Sequence, residues 1–144
     1  MISRRLARSF PLPCLLLAAS LAAAQTTAKP HLFFRVTLGS GIGQAESGRV
    51  LIFLEPGSGA KQVQANEMHP SATSIAAEEV TDLHPGESID IDVDQLAFPA
   101  PFSSLKGGTY EAQAVLDVDH TYAYDGLNPG DLESSVVALP NWTP

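Results

Sequence analysis

The sequence predicts an all-β protein, an antiparallel sandwich of about seven strands behind a cleaved signal peptide, and three observations predict it. Short segments alternate apolar and polar residues with the two-residue period of an extended chain. Glycine, proline and asparagine clusters bound these segments at close intervals. Beyond the N-terminus, no stretch carries a sustained helical period.

Residues Met1-Ile2-Ser3-Arg4-Arg5-Leu6-Ala7-Arg8 hold three arginines and no acid, and Leu12 to Ala24 is apolar apart from Pro13 and Ser20. A membrane-crossing helix needs about 20 apolar residues, so this run is too short. With Ala22-Ala23-Ala24 as small residues for a signal peptidase, residues 1–24 read as a signal peptide cut before Gln25. The only cysteine, Cys14, lies within it, where it follows Pro13 and precedes most of the apolar run rather than standing at a lipoprotein cleavage point. The mature chain therefore has no thiol chemistry. Residues 25–30 read as a flexible tail and 31–144 as one domain, long enough to bury a core without disulfides. The leader removes three of the eight basic residues and none of the sixteen acids, leaving five against sixteen, a formal charge of −11. That balance repels nucleic acid and anionic lipid and suits a periplasmic or secreted protein.

The first strand is expected over Leu32 to Leu38, with Leu32, Phe34, Val36 and Leu38 on one side. A glycine-rich connection from Gly39 to Gly48 leads to Arg49–Glu55, where Val50, Ile52 and Leu54 oppose Leu51 and Phe53; apolar residues on both faces predict a central strand. Pro56-Gly57-Ser58-Gly59 ends it, and the polar stretch to about Ser74 has no assigned element. Thr73–Val80 fits a short strand or a helical turn, because Ala76-Ala77-Glu78-Glu79 favours helix in too short a run. After the His84-Pro85-Gly86-Glu87 turn, Ile89, Ile91 and Val93 alternate with Asp90, Asp92 and Asp94, a strand with one wet face. The prolines of Phe98-Pro99-Ala100-Pro101-Phe102 predict a crossing loop to Leu105. Next comes a long strand on which Tyr110, Ala112, Ala114, Leu116 and Val118 share a face. Gly108 two residues before Tyr110 predicts a tyrosine corner, in which the phenol bonds back to upstream backbone and locks a strand crossing. A polar loop from Tyr122 to Leu132 and a last strand over Ser134–Leu139 complete the immunoglobulin-like pattern.

Catalytic patterns are missing from the sequence. Ser40 and Ser58 sit between glycines, but neither belongs to a Gly-x-Ser-x-Gly elbow that opens a helix. Gly39, Gly41 and Gly43 lack the helix a dinucleotide loop requires. His31, His69, His84 and His120 stand apart, without metal-ligand spacing. An EF-hand starting at Asp90 would need glycine at Gln95 and glutamate at Pro101, so that template fails. Asp117, Asp119, Asp125, Asn128 and Asp131 offer hard oxygen ligands around one loop and are the weak calcium candidates; a solvated acidic rim is the plainer reading. No cofactor is expected.

The segments Phe34-Arg35-Val36-Thr37, Gly48-Arg49-Val50-Leu51-Ile52-Phe53-Leu54 and Leu105-x-x-Gly108-Thr109-Tyr110-x-Ala112-Gln113-Ala114-Val115-Leu116-Asp117 carry a family likeness. With Asn128-Pro129-Gly130-Asp131-Leu132 and Ser134-Ser135-Val136-Val137, they resemble the N-terminal immunoglobulin-like domain of secreted bacterial esterases. In that family an α/β-hydrolase domain similar to enterochelin esterase follows the sandwich. The resemblance implies a non-catalytic accessory domain that packs against or positions a hydrolase, or a truncated esterase, since the family's catalytic domain would begin where this chain stops at Pro144. Leu139 and Trp142 are the expected docking anchors, with a tryptophan that closes its own core as the alternative. A rival reading, an extracellular binding module for carbohydrate or calcium, would use Tyr122 and Tyr124 as stacking faces. An autonomous esterase is the third.

Overall fold

The computed structural model describes residues 30–122 and 126–144; the leader, Cys14 and the tail through Lys29 lie outside the described residues. The chain is all-β. Its strands are β1 (Phe33–Thr37), β2 (Glu46–Pro56), β3 (Ser74–Leu83), β4 (Ser88–Asp92), β5 (Ala97–Phe98), β6 (Gly108–Asp117), β7 (Leu132–Glu133) and β8 (Val137–Trp142). Helical structure among the described residues is limited to two three-residue 3-10 turns, at Pro70–Ala72 and Phe102–Ser104. None of it is long and apolar enough to cross a membrane.

Among the described residues these strands pair antiparallel, in two sheets. One contains β1 and β4; the other runs β5-β3-β2-β6, with β7 and β8 following one another along the far side of β6. Strand β2 is central, as its two apolar faces require. Its inward residues Val50, Ile52 and Leu54 pack with Ile91, Phe102 and Tyr110 in the main core, which Leu32, Phe34, Val36 and Ile89 of the small sheet close from the opposite side. Its outward residues Leu51 and Phe53 pack with Val63, Ala65 and Val115 in a second core on the sheet's other face.

The second core accounts for the stretch that sequence reading left unassigned. Residues 57–65 form no strand, yet Val63 is buried and held over the sheet by side chains of β6. The Glu111 carboxylate accepts the amides of Gly59 (2.6 Å) and Ala60 (2.7 Å), and the Gln113 carbonyl oxygen accepts the amide of Val63 at 2.8 Å. These bonds satisfy backbone groups that burial would otherwise leave without water. Glu55, opposite Glu111 in the ladder, has its carboxyl pushed above the ordinary range, first by burial and then by the Glu111 charge.

Other elements differ from the sequence expectation. Thr73–Val80 resolves as the longer β3: eight register pairs with β2 outweigh the helical preference of Ala76-Ala77-Glu78-Glu79, and Ala76 is fully buried. The proline-rich crossing loop holds the two-residue edge strand β5 and places Phe102 at the centre of the main core. The last strand does not span Ser134–Leu139. The short β7 precedes it, residues 134–136 belong to no strand, and β8 begins at Val137 and runs on through Pro140 to Trp142, with the Pro140 carbonyl accepting the Thr109 hydroxyl at 3.0 Å.

Tyr110 donates its hydroxyl to the Lys106 carbonyl, four residues upstream, at 2.9 Å, the bond a tyrosine corner makes. Gly48 is the most constrained position of β2. Its φ is +153°, and a Cβ there would lie 2.5 Å from the Asp117 carbonyl oxygen on β6. Gly48→Ala should therefore destabilise the fold by about 2 kcal/mol or more, read from urea unfolding, with β6 or β2 forced to shift; an unchanged midpoint would contradict the close approach.

Candidate binding surface

Three parts of the molecule answer to the residues singled out from sequence: the C-terminal aromatic group, the Asp117–Asp131 loop, and the outer face of the large sheet around Tyr122.

Trp142 packs against three aromatic rings of its own chain. Its ring meets Tyr110 edge-on at 4.9 Å and Phe34 and Phe102 at 6.4 Å each. Leu139, paired opposite Tyr110, packs on the same core. Both side chains are half-buried, because β8 lies beside β6 and turns these residues inward. They pack on the protein's own interior, the alternative that the sequence offered for Trp142. Trp142→Ala should lower stability by about 2–3 kcal/mol, somewhat less than for a fully buried aromatic, measured by thermal or urea unfolding; a change below about 0.5 kcal/mol would return Trp142 to the surface role.

In the loop, the calcium candidates serve the backbone. Buried Asp117 accepts the Thr121 amide at 2.8 Å. Asp131 accepts the amides of Val118 (3.3 Å) and Asn128 (2.8 Å), and the Asn128 side chain donates to the Thr121 carbonyl at 2.8 Å. Asp119 is exposed; Asp125 and Tyr124 lie outside the described residues. Among the described residues, no three His, Cys, Asp or Glu side chains converge as a metal would require. The arrangement is a set of loop caps in which carboxylates replace missing backbone partners.

Tyr122 is half-buried, its ring 5.2 Å from that of Phe53 at a tilt of 39°. It covers one end of the second core, and burial pushes its phenol pKa up. That position removes one ring face from the stacking role expected of it. Beside it lies a cleft of about 260 Å³, lined by Arg49, Leu51, Phe53, Ala65, Ile75 and Tyr122. Pockets that enclose small ligands run about 300–1,000 Å³, so this one reads as part of a larger surface.

That surface continues across the uncovered half of the sheet's outer face. Residues 57–65 roof the β2–β6 side, leaving Ile75 and Ala77 half-buried next to the edge strand β5. Leu96 and Phe98 stand beside them 66% and 51% exposed. Phe98 pairs with Ile75 in the ladder, and the Leu96 carbonyl accepts the Ala77 amide at 3.0 Å, so backbone bonds hold this apolar shelf in place. Charges border it on one side. Arg49 bonds Glu79 at 2.9 Å, and His120 bonds the other Glu79 oxygen at 2.7 Å. Both contacts hold the Glu79 carboxyl below the usual range, His120 more strongly than Arg49. Sequence reading missed Leu96 and Phe98, because their prominence depends on which strand β5 joins.

Two of the histidines hydrogen-bond carboxylates and a third lies near one. His31 bonds Asp92 at 2.6 Å, His84 lies 3.5 Å from Asp82, and His69 is exposed. The His31 pKa is raised, first by its hydrogen bond to Asp92 and then by the Asp92 charge. A raised histidine pKa contributes stability that is full below the unfolded value of about 6.5 and is lost as pH rises through the folded value. His31→Ala should therefore melt below the unaltered protein near about pH 6 and converge with it by about pH 9; a gap that widens with pH would contradict the ion pair.

Comparisons with protein-family profiles, curated proteins and solved structures find no match to this chain.

Proposed function

We propose that the chain is an exported, non-catalytic accessory domain, an immunoglobulin-like β-sandwich that packs against or positions a hydrolase domain or protein in the periplasm or outside the cell. The facing of the small sheet on the large one and the Tyr110–Lys106 bond support the sandwich reading. The basic-then-apolar N-terminal sequence supports export. The sequence carries no nucleophile elbow, which fits a domain that leaves chemistry to its partner.

One observation carries the docking role: the shelf of Leu96, Phe98, Ile75 and Ala77 on the outer face of the large sheet. Exposed apolar groups held by a rigid sheet edge lose little conformational freedom on docking and gain from leaving water. The Arg49–Glu79–His120 border would supply the polar rim that accompanies such surfaces. The acidic excess leaves nucleic acid and membranes as poor partners.

The test is titration calorimetry of the purified chain against an α/β-hydrolase encoded beside it. The unaltered chain should bind one to one, and Leu96→Asp with Phe98→Ser should weaken binding at least about tenfold while the thermal midpoint holds. Binding that ignores the double substitution, or hydrolysis of a chromogenic acyl ester by the chain alone, would contradict the proposal.

A further inference from the structure

The two sheets are unequal, and the inequality leaves an opening in the main core. The large sheet presents the inner faces of β2, β6 and β8, whereas the small sheet is two strands wide. Val137 shows the consequence. It pairs with Ala112, whose side chain is buried in the main core, so Val137 lies on the inner face of the sheet, yet it is 52% exposed. A seam runs along β1, with Phe34 and Val36 on one wall and Ile52, Ala112, Ala114 and Val137 on the other. It continues past Gly39 and Ile42 to Leu132.

The open flank of β1 is a hydrogen-bonding edge. Leu38 donates to Glu87 and Val93 donates to Leu32, so the even-numbered residues of β1 exchange bonds with β4. The odd-numbered residues Phe33, Arg35 and Thr37 then direct their amides and carbonyls away from β4, and among the described residues no strand receives them. Proteins usually blunt such an edge with proline or a bulge. Strand β1 has neither, and its one charge, Arg35, is held by Asp90 at 2.7 and 2.8 Å.

We propose that the β1 seam accepts a strand from another polypeptide, which pairs with Phe33, Arg35 and Thr37 and sets alternate small or medium apolar side chains against Ala112, Ala114 and Val137. The small alanines leave room for those side chains, and added backbone bonds supply affinity. Charge defines the occupant further. The Gly39 end of the seam is lined by Asp131 and Glu133, without a lysine or arginine among its lining residues. The entering strand therefore carries basic residues at that end. A second copy of this chain fits poorly, because two β1 strands paired about their midpoint would set Arg35 against Arg35 and bring like acidic rims together. This inference is independent of the hydrolase reading, which uses the opposite face of the large sheet.

The experiment uses the purified chain and a soluble capped peptide that alternates valine and threonine and carries two lysines at one end. Binding is followed by fluorescence anisotropy, and the amides of Phe33, Arg35 and Thr37 by hydrogen exchange. The expected result is saturable binding with new protection at those three amides. Glutamates in place of the lysines should weaken it at least about tenfold, as should Arg35→Pro and, separately, Val137→Lys. Arg35→Pro deletes an outward amide and Val137→Lys leaves the backbone intact, so one variant remains informative if the other loses its fold by circular dichroism. Three results would each overturn the proposal: no binding at millimolar peptide, binding insensitive to Val137→Lys, or amides of Phe33, Arg35 and Thr37 protected before peptide is added, which would show a second copy or the chain itself in the seam.

Discussion

Everything in this structure follows from apolar side chains on both faces of the central strand β2. Phe53 and Leu54 are neighbours on β2, point in opposite directions and are both fully buried. Neither face of that strand can meet water, so the chain must build two covers. The small β1–β4 sheet supplies one, aided by Phe102 and the C-terminal Trp142. Residues 57–65 supply the other, and polar side chains of β6 hold them there. Hydrophobic burial sets the demand for both covers, and hydrogen bonding makes the irregular one affordable.

Alternation made much of this legible. Strands β1 and β4 announce themselves because their apolar residues alternate with exposed polar ones, β6 by the same alternation although both its faces are covered, and the glycine two residues before Tyr110 announced the phenol-to-backbone bond. The central position of β2 followed from the absence of a wet face. Strand β3 was ambiguous because its alanines are chosen for fit: Ala76 lies fully buried beside β2, and alanine favours helix when read alone. The cover at 57–65 was invisible because Val63 and Ala65 do its burying while its anchors, Glu111 and Gln113, lie some fifty residues away. Phe102 was similarly hidden inside a stretch whose prolines rightly signalled a loop.

The candidate surfaces were less legible than the fold. Aromatic residues near a terminus or in a loop looked available for partners, but Trp142 and Tyr122 each lie against another aromatic ring of this chain. Carboxylates clustered around a turn looked like cation ligands, and two of them accept backbone amides of the loop. What is available to partners arises where a cover falls short. The outer cover leaves the Leu96–Phe98 shelf, and the inner cover, two strands wide, leaves the β1 seam. Both depend on strand order, which a single sequence does not display.

The double-cover account is tested most directly by amide hydrogen exchange at Val63. This residue belongs to no strand, so its amide would exchange as rapidly as other loop amides if residues 57–65 merely passed over the surface. The account predicts protection comparable to that of Phe53 and Val115 in the central strands, because opening Val63 uncovers the second core. Exchange at loop rates, with the central strands still protected, would contradict it.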